Sequence, residues 1–149
     1  MRVLGPALTD EERTRFLAAA RSLRDARTRF KHQGRSSRGV DCAGLLVYGM
    51  AAAGRTLKDA DGYGRTPYKA RLEGLLEENF GAPLDAAEPM AEGDIVLLKM
   101  VGDPSHVGIV TDHPSGGYAI LHSYAQQRMV VEHRMDDEWI GYIYMRFRP

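Results

Sequence analysis

Asp41-Cys-Ala-Gly-Leu-Leu-Val-Tyr-Gly-Met-Ala-Ala-Ala-Gly54 decides the fold. Leu45, Leu46, Val47, Met50, Ala51 and Ala52 leave a helix almost no polar side, so this is the buried helix of the domain. Asp41 can cap its start and Gly54 its end, which predicts a helix from Cys42 to about Ala53. Cys42 then stands in the first turn. Unpaired amides and the helix dipole favour negative charge there, so the expectation is a thiol that ionises more easily than usual. It is the only cysteine among 149 residues, which excludes an intrachain disulfide framework and any multi-cysteine zinc site. Such a cysteine is a packing residue, a surface residue or a reagent, and its neighbours decide which.

Upstream, Thr9 and Glu12 form a capping box before a helix whose apolar stripe is Phe16, Ala19/Ala20, Leu23 and Ala26. The polar stretch from Lys31 to Val40 reads as a loop. Downstream, Thr66 and Pro67 open a third helix that runs to about Phe80, where Gly81 stops it. Strands follow at Asp94–Met100, His106–Asp112, Tyr118–Ser123, Arg128–Arg134 and Ile140–Phe147, with a hairpin turn over Pro114–Gly117. The last strand has the pattern of one covered on both sides. Helices first and strands after predict an α+β fold: one domain over 1–149, with the helices packed on one face of an antiparallel sheet of about five strands.

Hydrophobic residues make up 44% and charged residues 27%, which argues against wholesale disorder. Twenty basic and twenty acidic side chains balance, which gives no support for a nucleic-acid partner. The apolar runs are too short to span a bilayer, so no membrane insertion is expected. The opening residues lack the apolar core of a secretory signal, so the expectation is synthesis in the cytoplasm. The balance is not local. Residues 1–40 carry ten basic side chains against four acidic ones, and residues 73–103 carry eight acidic ones against Lys99. Either these are two solvated faces that attract each other, or the arginine-rich face docks on an anionic partner.

A cysteine nucleophile needs a base, and the base needs a group to orient it. His106 opens a strand directly after the loop Gly102-Asp-Pro-Ser105. His122 lies on the strand paired with it through the hairpin, roughly opposite. Neighbouring strands lie about 5 Å apart, so the two rings are within reach of each other. His113 falls in the hairpin turn and His133 in an edge strand, and both are expected in solvent. Zinc held by Cys42, His106 and His122 is disfavoured because no two of these form a short chelating pair. No metal or cofactor is expected.

The run Arg29-Phe-Lys-His-Gln-Gly-Arg-Ser-Ser-Arg-Gly-Val-Asp-Cys-Ala-Gly-Leu45, then Glu92-Gly-Asp-Ile-Val96, His106-Val-Gly-Ile-Val110 and Ile120-Leu-His-Ser123, resembles in order and spacing the NlpC family of papain-like cysteine peptidases. The resemblance implies a papain-like NlpC fold and cleavage of peptidoglycan stem peptides. It assigns Cys42 as nucleophile, His106 as general base and His122 as the polar residue that orients the base. It places Asp41 at the free amine of the substrate peptide. Phe30 stands where the family often has tyrosine, which removes a phenol from the substrate side. Ala43 stands where it often has serine. Both departures bear on substrate preference more than on reaction type. The stretch Phe30-Lys-His-Gln-Gly-Arg35 looks most like the phage and gene-transfer-agent branch. That likeness implies tail-tip or hub proteins as partners, a place at the virion tail tip, and action in the periplasm or wall during DNA delivery. The alternatives are a non-enzymatic tail-tip plug or assembly protein of the same fold, and an amidase or acyltransferase that acts on the sugar–peptide amide.

Overall fold

Thr9 caps the first helix as its sequence predicts. Its hydroxyl accepts the Glu12 N–H at 3.1 Å and the Glu12 carboxylate accepts the Thr9 N–H at 2.9 Å. The computed structural model describes residues 7–59 and 71–149. In chain order the elements are α1 (Asp10–Asp25), β1 (Arg35–Ser36), β2 (Gly39–Val40), α2 (Cys42–Ala52), α3 (Arg71–Phe80), β3 (Ile95–Leu98), β4 (His106–Asp112), β5 (Tyr118–Tyr124), a single 3-10 turn (Ala125–Gln127), β6 (Met129–Arg134), α4 (Asp137–Gly141) and β7 (Ile143–Phe147). The five long strands form one antiparallel sheet in the order β6-β5-β4-β3-β7.

Strand alternation sorts the core into two layers. Ile95, Leu97, Val107, Ile109 and Leu121 face α1 and α2, packing with Phe16, Leu23, Leu45 and Met50. Val96, Leu98, Val110 and Ile120 face the other way, beneath Met90, Met135, Trp139 and Tyr142. Helix α2 lies close on α1: a Cβ added at Gly49 would sit 2.7 Å from Phe16 Cδ1. The helices therefore cover one face as expected, and loop residues together with α4 cover the second.

Three expectations need correction or completion. The polar stretch before Cys42 carries a small hairpin, β1–β2, closed by Arg35↔Val40 and Ser36↔Gly39. The last segment is not one strand. Asp136 accepts the Trp139 N–H at 3.0 Å and caps α4, so β7 begins only at Ile143. That strand lies at the sheet edge with Tyr144 half exposed, and the strand covered on both faces is β3, all four residues of which are fully buried. The expected start of the third helix at Pro67 lies outside the described residues; the described part ends at Phe80 as expected.

Several arginines meet acids within the fold. Arg21 reaches Glu92 at 3.4 Å, and Arg24 pairs with Glu132 on β6. Arg55 grips Glu12 through two nitrogens at 3.0 and 3.1 Å. Of these three contacts, Arg21–Glu92 joins the basic stretch 1–40 to the acidic stretch 73–103. Asp94 of the Gly-Asp motif is buried and accepts Arg148 at 2.7 and 2.9 Å, which ties the entry of β3 to the exit of β7. Among the described residues no helix is long and apolar enough to cross a membrane.

Candidate active site

Cys42 opens α2 with its sulfur against the sheet. Asp41 caps the helix by accepting the Gly44 N–H on Oδ1 at 2.8 Å, and the Asp41 carbonyl accepts the Leu45 N–H. The Ala43 N–H lies against the sulfur, and so does the Val107 N–H, which comes from the residue after His106. Strand pairing explains the second donor. Val110 donates to the Asp94 carbonyl, so the amides of alternate residues Val107 and Ile109 point away from β3, toward β5. The β4–β5 register begins only at Ile109↔Leu121. The Val107 amide therefore meets the Cys42 sulfur where the ladder has ended. Ser123 holds this junction from the β5 side, donating its hydroxyl to the Val40 carbonyl at 2.7 Å.

At the same open end of β4 and β5, on the side away from α2, three histidines stand in a row. His106 Nε2 lies 2.7 Å from His122 Nδ1. His122 Nε2 lies 2.9 Å from His133 Nε2, and His133 Nδ1 lies 3.0 Å from the Arg134 carbonyl oxygen. The nitrogens touch at hydrogen-bonding distance, closer than two ligands that each hold a zinc ion at about 2.0 Å would stand. Gly108 keeps the row intact. A Cβ there would sit 2.6 Å from Ile120 Cδ1 and 3.4 Å from His122 Cβ. Aromatic rings enclose it: Tyr124 stacks on His122 at 4.9 Å, and Trp139 meets His122 and His133 edge-on or tilted at 5.1 and 4.9 Å. A cavity of about 430 Å³ opens beside His133, lined by Tyr124, Gln127, Val131 and Trp139.

A cysteine at a helix start and a histidine row on the adjoining strands thus occupy one sheet junction. A model of the NlpC/P60 family matches residues 27–148, the span that contains both. The chain belongs to the NlpC/P60 family. Solved structures share this family's fold with it. One is an NlpC/P60 family protein from Bacillus cereus, with TM-score 0.67, 16% identity, and cover of 96% of this chain and 41% of that one. Another is a lipoprotein-like NLP/P60 protein from Staphylococcus aureus, with TM-score 0.60, 16% identity, and cover of 96% and 43%. A third is the NlpC/p60 domain of the peptidoglycan hydrolase SagA, with TM-score 0.59, 19% identity, and cover of 92% and 98%. The chain spans about two fifths of the first two proteins and nearly all of the third. A comparison with curated protein sequences found no significant match.

In this NlpC/P60 member, burial dominates the electrostatics of the junction. Burial pushes the Cys42 thiol up to about 11, the Asp41 carboxylate adds to the rise, and the amides of Val107 and Ala43 oppose it. The expectation of an easily formed thiolate is therefore corrected: loss of solvent outweighs the first-turn amides. Burial likewise lowers His106 to about 4. It lowers His122 to about 2, with the neighbouring rings of His106 and His133 adding to the fall. Burial thus favours the uncharged forms, the thiol of Cys42 and the imidazoles of His106 and His122.

The remaining expected residues lie around α2. Asp41 is buried; besides capping the helix it accepts the Gln33 N–H at 2.9 Å and Arg35 Nη1 at 2.8 Å. Arg35 also holds Asp59 at 2.8 and 3.0 Å, tying the β1–β2 hairpin to the chain beyond α2. Phe30 is half-buried beside Val40, two residues before Cys42. His113 stays in the hairpin turn, where its Nδ1 accepts the Ser115 N–H at 3.0 Å. His133 was expected in solvent and is instead half-buried against His122. The available signal was positional. His122↔Val131 and Ile120↔His133 are partners across β5–β6, so His133 shares a face with His122 and lies diagonal to it.

Proposed function

We propose that this chain is a cell-wall hydrolase: a cysteine endopeptidase that cuts amide bonds of peptidoglycan stem peptides. Cys42 is the nucleophile, His106 the base and His122 its orienting partner. The observation that carries the reading is the junction itself. The Cys42 sulfur rests on the amide beside His106, and the Nε2 of that histidine is engaged by His122 at 2.7 Å. Family membership and the likeness in fold to a peptidoglycan hydrolase domain support the substrate class.

The proposed reaction starts from the neutral thiol and imidazole that burial favours. Sγ attacks the carbonyl carbon while its proton passes to His106 Nδ1, and the π-electron pair moves onto oxygen. The Cys42 N–H at the helix start is placed to meet that oxyanion. Collapse breaks the C–N bond as His106 returns the proton to the leaving amine. Water, deprotonated by His106, then adds to the thioester. Release of the carboxylic acid restores the thiol. Phe30 and Asp41 form the substrate side. A substrate ammonium that reaches Asp41 competes with Arg35 at Oδ1 or with the Gln33 N–H at Oδ2.

The finer setting is a phage-type tail tip. There the chain would join hub proteins and open the wall after assembly in the cytoplasm. The likeness of Phe30–Arg35 to that branch supports this setting, and co-assembly of tagged chain with tail-hub proteins from the same source tests it. The enzymatic reading is tested by mass spectrometry of purified peptidoglycan incubated with wild type and with Cys42→Ser. A new cut within the stem peptide from wild type alone is expected. A free sugar product points instead to amidase chemistry, and no product from either protein favours the structural tail component.

A further inference from the structure

We propose that His133 is a positioning residue: through His122 it sets which nitrogen of His106 carries the proton. The argument starts at the far end of the row. The Arg134 carbonyl can only accept, so His133 Nδ1, 3.0 Å away, must bear the hydrogen. A neutral imidazole has one N–H, so His133 Nε2 is a lone pair. His122 Nε2, at 2.9 Å, therefore donates to it. His122 Nδ1 is then the lone pair, and His106 Nε2, at 2.7 Å, donates to that. His106 Nδ1 is left as a lone pair, the form a base needs. Reversing the row would set the His133 lone pair against a carbonyl lone pair.

Fixed groups hold the row at its His133 end and at its middle. Arg134 donates its Nη1 to the Gly116 carbonyl at 3.1 Å, and β6 pairs it with Ala119, so the terminal carbonyl is anchored to the hairpin. Trp139, placed by the cap at Asp136, packs on both His133 and His122 and opposes ring rotation. Because the row ends on a neutral carbonyl, it orients the base without introducing a buried charge.

The inference rests on the reading of His106 as a base, and its test does not need turnover. Long-range proton–nitrogen correlation spectra of the histidine-labelled full chain, at a pH where the rings are neutral, report each tautomer directly. The expected wild-type pattern is Nδ1–H at His133, Nε2–H at His122 and Nε2–H at His106. In His133→Phe the last two rings should become tautomer mixtures, and in His133→Gln, whose amide oxygen can accept from His122, the single pattern should return. If Cys42 proves to be a nucleophile, kcat should fall about fivefold in His133→Phe with KM unchanged, the population equivalent of one net hydrogen bond. A wild-type His133 carrying its proton on Nε2, or His106 and His122 unaltered in His133→Phe, overturns the proposal. The expected spectra without any peptidoglycan product would leave the tautomer assignment standing and overturn only the peptidase reading.

Discussion

Around Cys42 the holding groups are mostly backbone and close in sequence: the Asp41 cap, the Ala43 amide and the β1–β2 hairpin. Around His106 they are side-chain rings from two further strands, His122 and His133, closed in by Tyr124 and Trp139. The two halves should fail differently. A backbone-built half is sensitive to added bulk where chains touch. A ring-built half is sensitive to the loss of one nitrogen and is otherwise free to shift side chains.

The largest stability effect is expected at Gly44. A Cβ there would lie 2.0 Å from the Gly34 carbonyl oxygen, a backbone atom with no room to retreat. Gly44→Ala should therefore lower stability by about 3 kcal/mol, the upper part of the range for overpacking, read as a fall in the urea midpoint. Gly108→Ala makes the matching perturbation in the other half. Its Cβ meets the Ile120 side chain, at Cδ1 and Cγ1 2.6 and 2.7 Å away, rather than backbone, so the loss should be smaller, about 2 kcal/mol. Equal losses at the two sites would break the contrast.

Reactivity with iodoacetamide sharpens the same comparison. With the Cys42 thiol pushed up to about 11, the alkylation rate should rise with pH through the alkaline range, without a plateau near neutrality. A plateau near pH 7 would mean that a thiolate–imidazolium pair already exists at rest.

The pH dependence of stability separates the halves once more. Burial holds folded His106 near 4 against an ordinary 6.5, so the unfolded chain takes up its proton first. Stability from this group is present above about pH 6.5 and is lost as pH falls toward 4. Glu12 is held near 2 against 4.5, chiefly by the Arg55 hydrogen bonds and then by the Thr9 amide. Its contribution is present above about 4.5 and is lost as pH falls toward 2. His106→Asn should lower the slope between about 6.5 and 4 without abolishing it, because buried His122, held near 2, contributes from 6.5 downward as well, and Arg55→Ala should lower the slope below about 4.5 only. The lower effect should be the smallest of all, because Glu12 lies at the surface and water screens it.

Much of the Cys42 half was legible in the chain. Asp41, Cys42 and the apolar run after them state a capped, buried helix, and the structure has it from Cys42 to Ala52. That His106 and His122 come within reach was readable from the hairpin between their strands, although the register sets them diagonally rather than directly opposite. The ionisation of Cys42 was not, because it depends on how completely the sheet excludes water from the first turn. The break in the last segment did have a local signal, three acids at residues 136–138 that favour a helix start over a strand, which the apolar alternation after them masked.

By itself the sequence determined the elements that local forces build: caps, the apolar helix, strand alternation and the register across a short turn. These depend on residues a few positions apart, so spacing is enough to read them. Only the tertiary structure decided that the Val107 amide is released to the Cys42 sulfur, and that His133 ends a row on a carbonyl. Those outcomes depend on where the β4–β5 ladder stops and on which faces of β5 and β6 meet Trp139 of α4, contacts between residues far apart in the chain.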